Sequence, residues 1–78
     1  MDDRSVEKIF GLLLQQVRKE KKLSQEKLAE WSDLDRTYIS LLERGLRQPS
    51  LDTLCKISKA LEMKISDLII RFENIYEN

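Results

Sequence analysis

Between Ser24 and Gly45 the chain reads SQEKLAEWSDLDRTYISLLERG, two helix starts and two helix stops in one short stretch. Ser24 precedes an apolar-periodic run and suits a helix N-cap. Gln25 and Glu26 follow in the first turn, where the helix dipole favours acceptors and negative charge. Leu28 and Trp31, three apart, fall on one helical face. The run stops around Ser32 and Asp33. Asp35 is a second N-cap, and Arg36 to Arg44 continue without a breaker to Gly45, a natural residue to end a helix. With only about three residues between them the two helices cannot stack in line. They must cross steeply, as in a helix-turn-helix.

At about 100° per residue, Ile39 and Leu42 share an inward arc of the second helix. Arg36, Thr37, Ser40, Leu41 and Arg44 spread over the opposite side. That surface offers a forked guanidinium, two hydroxyls and an apolar tip. An arginine suits guanine O6 and N7 together, and Thr or Leu methyls suit the thymine methyl. The pattern predicts a helix that enters the major groove of DNA, with Arg36, Thr37, Ser40 and Leu41 reading base edges.

The stretch resembles the Cro/repressor (Xre-type) helix-turn-helix family, with the lambda-repressor-like fold. The run LDRTYIS…ERG…PSL is similar to restriction–modification controller proteins. The likeness covers roughly residues 10 to 70. Gln25 opens the first helix of the unit, Ala29 sits where the two helices cross, and Ile39 and Leu42 anchor the second. Glu43 and Gly45 complete the pattern. Asp33 stands where the family often has Gly, and Asp tolerates the left-handed conformation better than most residues. The resemblance implies a pairing of Arg18 with Glu43 that fixes the recognition helix. It also implies backbone contacts from Arg44, Arg47, Gln48 and Gln25, with Ser24 beside them and Tyr38 at the rim on phosphate. Such contacts set register but carry little sequence information.

Seventy-eight residues allow one small domain, 1–78, with the helix-turn-helix unit at about 24–45. The expected class is all-α, a compact five-helix bundle. A core this small is marginal, and oligomerisation is a common remedy. No run of about 18 apolar residues predicts a membrane span, and the N-terminus lacks a signal-peptide layout. One cysteine, Cys55, permits no internal disulfide and fits a reducing cytoplasm. Net charge is zero, but residues 4–48 carry ten Lys/Arg against seven Asp/Glu, residues 49–78 four against five, and Asp2 and Asp3 supply the remaining two negative charges. The motif lies in the basic half.

Before the motif, residues 5–22 predict a first helix with Val6, Ile9, Phe10, Leu13, Leu14 and Val17 as its apolar stripe. Gly11 interrupts that pattern and costs up to about 1 kcal/mol relative to Ala. The RKEKK end reads either as a solvated helix terminus or as phosphate attraction. After the motif, Pro49 holds Gln48 extended. Ser50 caps a fourth helix, with Leu51, Leu54, Ile57 and Leu61 as core stripe and Cys55 as a small buried hydrophobe.

Ser66 is expected to cap the last helix, 66–76. Ile65, Leu68, Ile69, Phe72, Ile75 and Tyr76 gather there on one broad arc, with Ile70 outside it, more apolar surface than so small a domain hides. It either packs on the first helix or forms a homodimer interface. A dimer would set two recognition helices roughly 34 Å apart on a palindromic operator. No histidine is present, no Cys/His cluster has metal spacing, and no Gly-rich loop could cradle a phosphate. No catalytic site, metal, cofactor or small-molecule effector is expected. The expected partners are double-stranded operator DNA and a second copy of the chain. Three roles stay open: controller of a restriction–modification operon, phage-type repressor, and antitoxin or protein-interaction module.

Overall fold

The computed structural model describes residues 5–77 and shows five helices, with no strand among the described residues. They are α1 (Val6–Glu20), α2 (Gln25–Ser32), α3 (Arg36–Glu43), α4 (Leu51–Ala60) and α5 (Ile65–Tyr76). Asp2, Asp3 and Arg4, counted in the charge balance, lie outside the described residues. None of the helices is long and apolar enough to cross a membrane among the described residues.

The helix starts follow the sequence signals closely. Ser5, Ser24 and Ser50 each accept a hydrogen bond on Oγ from a backbone N–H in the first turn, at 3.2, 3.0 and 3.1 Å. Asp35 does the same for the Thr37 N–H at 2.9 Å. The last helix departs from expectation. It begins at Ile65 with Lys64 as N-cap and no capping side chain, so Ser66 lies inside its first turn. Met63 is tied back to the Ser58 carbonyl at 2.9 Å, which leaves Lys64 alone to connect α4 with α5.

Four helices end in the same way. Lys22, Asp33, Gly45 and Glu62 have φ of 60, 59, 74 and 56°, the left-handed region. The residues after them, Leu23, Leu34, Leu46 and Met63, donate back to Arg18, Ala29, Leu41 and Ser58 carbonyls at 2.9–3.1 Å. This is the Schellman closure, which satisfies helix-end carbonyls and turns the chain sharply. Leu23, Leu34 and Met63 then pack against the core. The first helix therefore stops at Glu20 rather than running on to residue 22.

α3 lies across α1 and α2, α4 packs on α2, and α5 closes the bundle against α1 and α4. Leu13, Leu14, Val17, Leu28, Ile39, Leu42, Ile57 and Leu68 are fully buried at its centre. Several expectations need correction. Val6 is 39% exposed at the open end of the α1 stripe, and Leu51 and Trp31 are 72% and 55% exposed. The inner face of α2 is Leu28, Ala29 and Ser32, which turns Trp31 outward. The inner face of α4 is Thr53, Ile57, Ser58 and Ala60, which turns Cys55 to the surface instead of the core. The Ser58 hydroxyl donates to the Cys55 carbonyl and the Ser32 hydroxyl to the Leu28 carbonyl, so these polar groups are buried at little cost. On the outside, Arg71 of α5 grips Glu20 of α1 through two bonds of 2.9 Å. That hydrogen bonding, against a smaller opposing effect of burial, holds the Glu20 carboxyl below its ordinary range.

Candidate nucleic-acid interface

The recognition surface is built from α3 and its flanks. Ile39 and Leu42 are fully buried and set the rotation of α3 on the bundle. Arg36 and Thr37 are then exposed at the N-terminal end, Ser40 and Leu41 are half-buried, and Arg44 is exposed at the far end. Arg36, Ser40 and Arg44 follow one another at intervals of four, so they line one strip of the helix. Arg47 and Gln48 are exposed in the loop beyond it.

The C-terminal end of α3 is pinned by a carboxylate. Arg18 of α1 donates from Nε to Glu43 Oε2 and from Nη2 to Oε1 at 3.0 Å, and from Nη1 to the Leu23 carbonyl at 2.8 Å. The two side chains are 10% and 2% exposed. An ion pair this dry survives only when its remaining hydrogen-bonding capacity is met. Gln25 helps meet it, donating from Nε2 to Glu43 Oε1 at 3.0 Å. A contact of Gln25 with Glu43 was not legible in the sequence, because nothing in the spacing of residues 25 and 43 reveals that α2 starts beside the end of α3.

Tyr38 is also engaged. Its ring packs against the core and its hydroxyl lies 3.3 Å from Thr53 Oγ1. Thr53 in turn accepts from the Ser50 hydroxyl at 3.0 Å. The recognition helix is thereby joined to the start of α4. Arg18, Ser24, Gln25, Glu26 and Arg36 surround an open polar crevice between the starts of α2 and α3.

On another side, Val6, Phe10, Gln48, Pro49, Leu54, Ile69 and Phe72 line a small apolar groove. Of the residues expected at a subunit interface, Ile69 and Tyr76 are exposed, whereas Phe72 and Ile75 are partly buried on the core, and the rings of Phe72 and Tyr76 stack with centroids 5.6 Å apart. Leu68 is corrected: it is fully buried within the bundle and offers no exposed surface to an interface. Ile70, which the sequence pattern left outside the arc, is 51% exposed.

A short helix pair joined by a left-handed turn at Asp33, with a polar strip held outward by a buried ion pair, defines a DNA-binding helix-turn-helix domain. Residues 14–68 match the helix-turn-helix family model HTH_3, and the chain belongs to this Xre-type family. It is 53% identical over 62 residues to the control protein C.BamHI of Bacillus amyloliquefaciens, covering 78% of this chain and 76% of that one. The restriction–modification controller protein C.AhdI of Aeromonas hydrophila is 43% identical, with a TM-score of 0.76 over 78% of this chain and 92% of its own. A single-residue variant of the controller C.Esp1396I, bound to its highest-affinity operator site, is 30% identical with a TM-score of 0.87, covering 94% of this chain and 96% of its own. The protein is a DNA-binding transcriptional regulator, not an enzyme.

Proposed function

We propose that this chain is a restriction–modification controller that binds as a homodimer to a palindromic operator upstream of its own operon, in the cytoplasm. It works as one helix-turn-helix domain, activating at low occupancy and repressing at high. Arg36, Thr37, Ser40 and Leu41 read base edges. Arg44, Arg47 and Gln48, with Tyr38 and the start of α2 at Ser24 and Gln25, lie on the phosphate side.

One observation carries the DNA-reading part. Among the described residues, Arg18 and Arg71 are each fastened to a carboxylate by two bonds, and both tie helices together. The remaining three arginines, Arg36, Arg44 and Arg47, have no ion-pair partner among the described residues and all lie on α3 or the loop after it. Free guanidiniums gathered on α3 and the loop after it suit a polyanion with base edges between its phosphates. The exposed Ile69, Ile70 and Tyr76, with the groove of Val6, Phe10, Leu54 and Phe72, support pairing of two copies.

The test is a shift assay on the duplex upstream of the chain's own gene, against a shuffled duplex of the same composition. The expected result is a twofold-symmetric footprint at concentrations where sedimentation shows dimers. Equal affinity for both duplexes would end the reading.

A further inference from the structure

Lys8 of α1 stands where helix chemistry disfavours it. It is the third residue after the Ser5 cap, whose Oγ accepts from the Lys8 backbone N–H. A glutamate or glutamine suits that place, since it can reach back to the cap, and the helix dipole repels positive charge there. Lys27 holds the same place in α2 but is answered by Glu30 at 3.3 Å. Lys8 is exposed and has no ion-pair partner among the described residues.

The recognition unit holds its stem in place. A β-carbon at Gly45 would stand 2.9 Å from Lys8 Cγ and 3.0 Å from Lys8 Cα, so the loop leaving α3 is pressed against the first turn of α1. Lys8 and Leu12 from α1, with Glu43 and Arg44 from the end of α3, line one shared crevice. Among the described residues Glu43 is the one carboxylate lining it, and both its oxygens are taken by Arg18 and Gln25. The crevice therefore sets an unneutralised ammonium beside Arg44, the last member of the Arg36–Ser40–Arg44 strip.

We propose that Lys8 is a phosphate contact supplied by α1: with Arg44, it holds the DNA backbone at the C-terminal end of the recognition helix. The inference rests on the reading of α3 as the DNA-contacting helix. A point charge on a stem already packed against Gly45 loses less conformational freedom on binding than a free one. It reads no base, because an ammonium on a phosphate carries no sequence information.

Titrations at several salt concentrations use the duplex that the wild-type protein selects from a random-sequence pool and a shuffled duplex of equal composition. Lys8→Gln keeps the stem on Gly45 and removes the charge, whereas Lys8→Arg keeps the charge. Lys59→Gln removes a charge on α4, beside Trp31 and Glu62. Lys8→Gln is expected to weaken both duplexes by up to about fivefold, the scale of one exposed charge contact. Its salt slope becomes shallower by about 0.9. Preference between the duplexes stays at the wild-type value, and Lys8→Arg keeps the slope. An unchanged slope in Lys8→Gln overturns the proposal, whatever happens to the stability of the variant. So does an equal change of slope in Lys59→Gln, which would reduce Lys8 to a share of the overall field. A loss confined to the selected duplex also overturns it, by making Lys8 a prop for α3. A wild-type protein that enriches no sequence ends the base-reading assignment, while the slope test proceeds on any duplex. Affinity that ignores salt in the wild-type protein ends both.

Discussion

Gly11 of α1 lies directly beneath the Glu43 carbonyl: a β-carbon at position 11 would stand 2.6 Å from that oxygen and 2.6 Å from the Leu42 carbonyl oxygen. The glycine that interrupts the apolar stripe is thus the place where α1 lets the end of the recognition helix approach. Both opposing atoms are backbone, so no side chain can swing aside. Gly11→Ala gains helix propensity of about 1 kcal/mol but forces α3 away from α1. The expected net outcome is destabilisation by about 2 kcal/mol, as for overpacked cores. Urea titration of the variant measures it, and a variant as stable as the parent would show that α3 has room to move.

The Arg18–Glu43 pair predicts an asymmetric response to mutation. Replacing Arg18 with Met leaves a buried carboxylate without its guanidinium, which costs about 3–5 kcal/mol. Replacing both partners, as Arg18→Met with Glu43→Leu, removes that unpaired charge and recovers most of the loss. The double variant still lacks the bonds from Arg18 and Gln25 that hold the end of α3. Thermal melts are therefore expected to recover while operator preference does not. Recovery of both would assign the pair to stability alone.

On the proposed DNA-reading assignment, variants at Arg36 and Arg47 separate two kinds of contact. Arg36→Ala is expected to cost about 1–3 kcal/mol on the cognate operator and to relax preference at one base pair. Arg47→Ala weakens all duplexes alike and makes the salt slope shallower by about 0.9. Titrations at several salt concentrations on operator and shuffled duplexes distinguish them. An Arg36 variant that kept its preference would move base reading elsewhere on α3.

Helix ends give a stabilising prediction. Lys22 and Glu62 hold left-handed backbone with full side chains, a conformation that costs roughly 1 kcal/mol or more outside glycine. Part of that gain is returned to the more flexible unfolded chain. Lys22→Gly and Glu62→Gly are each expected to raise stability by about 0.5 kcal/mol, measured by denaturant midpoint. The same change at Asp33 gains less, since aspartate already tolerates this region.

Local signals made much of this fold legible. Ser24, Asp35 and Ser50 cap where their chemistry says they should, and Asp33 and Gly45 turn the chain as expected. What the sequence could not show was decided by tertiary packing. α4 faces the core with Thr53 and Ser58, whose hydroxyls are satisfied within reach, while Leu51 and Cys55 look outward. Hydrophobicity alone places Leu54, Ile57 and Leu61 on the core correctly but misplaces Leu51 and Cys55. Ser66 is a good cap that is not used, because the tie of Met63 to Ser58 starts α5 earlier. At the site, the outward strip of α3 could be drawn on a helical wheel. The attachments of Gln25 to Glu43 and of Tyr38 to Thr53 could not, since each joins elements whose approach only the folded chain fixes.

The last helix divides its apolar residues between two directions, Leu68 into the bundle and Ile69 and Ile70 away from it. On the homodimer reading, a lone protomer keeps its own interior and association becomes a separate, reversible step. The abundance of the paired form then climbs with the square of total protein while that protein is scarce. Occupancy of an operator by the paired form would then rise over a narrow interval of protein concentration. On that reading the concentration at which pairing sets in depends on the outer row of one helix, where a substitution touches neither the buried interior nor α3.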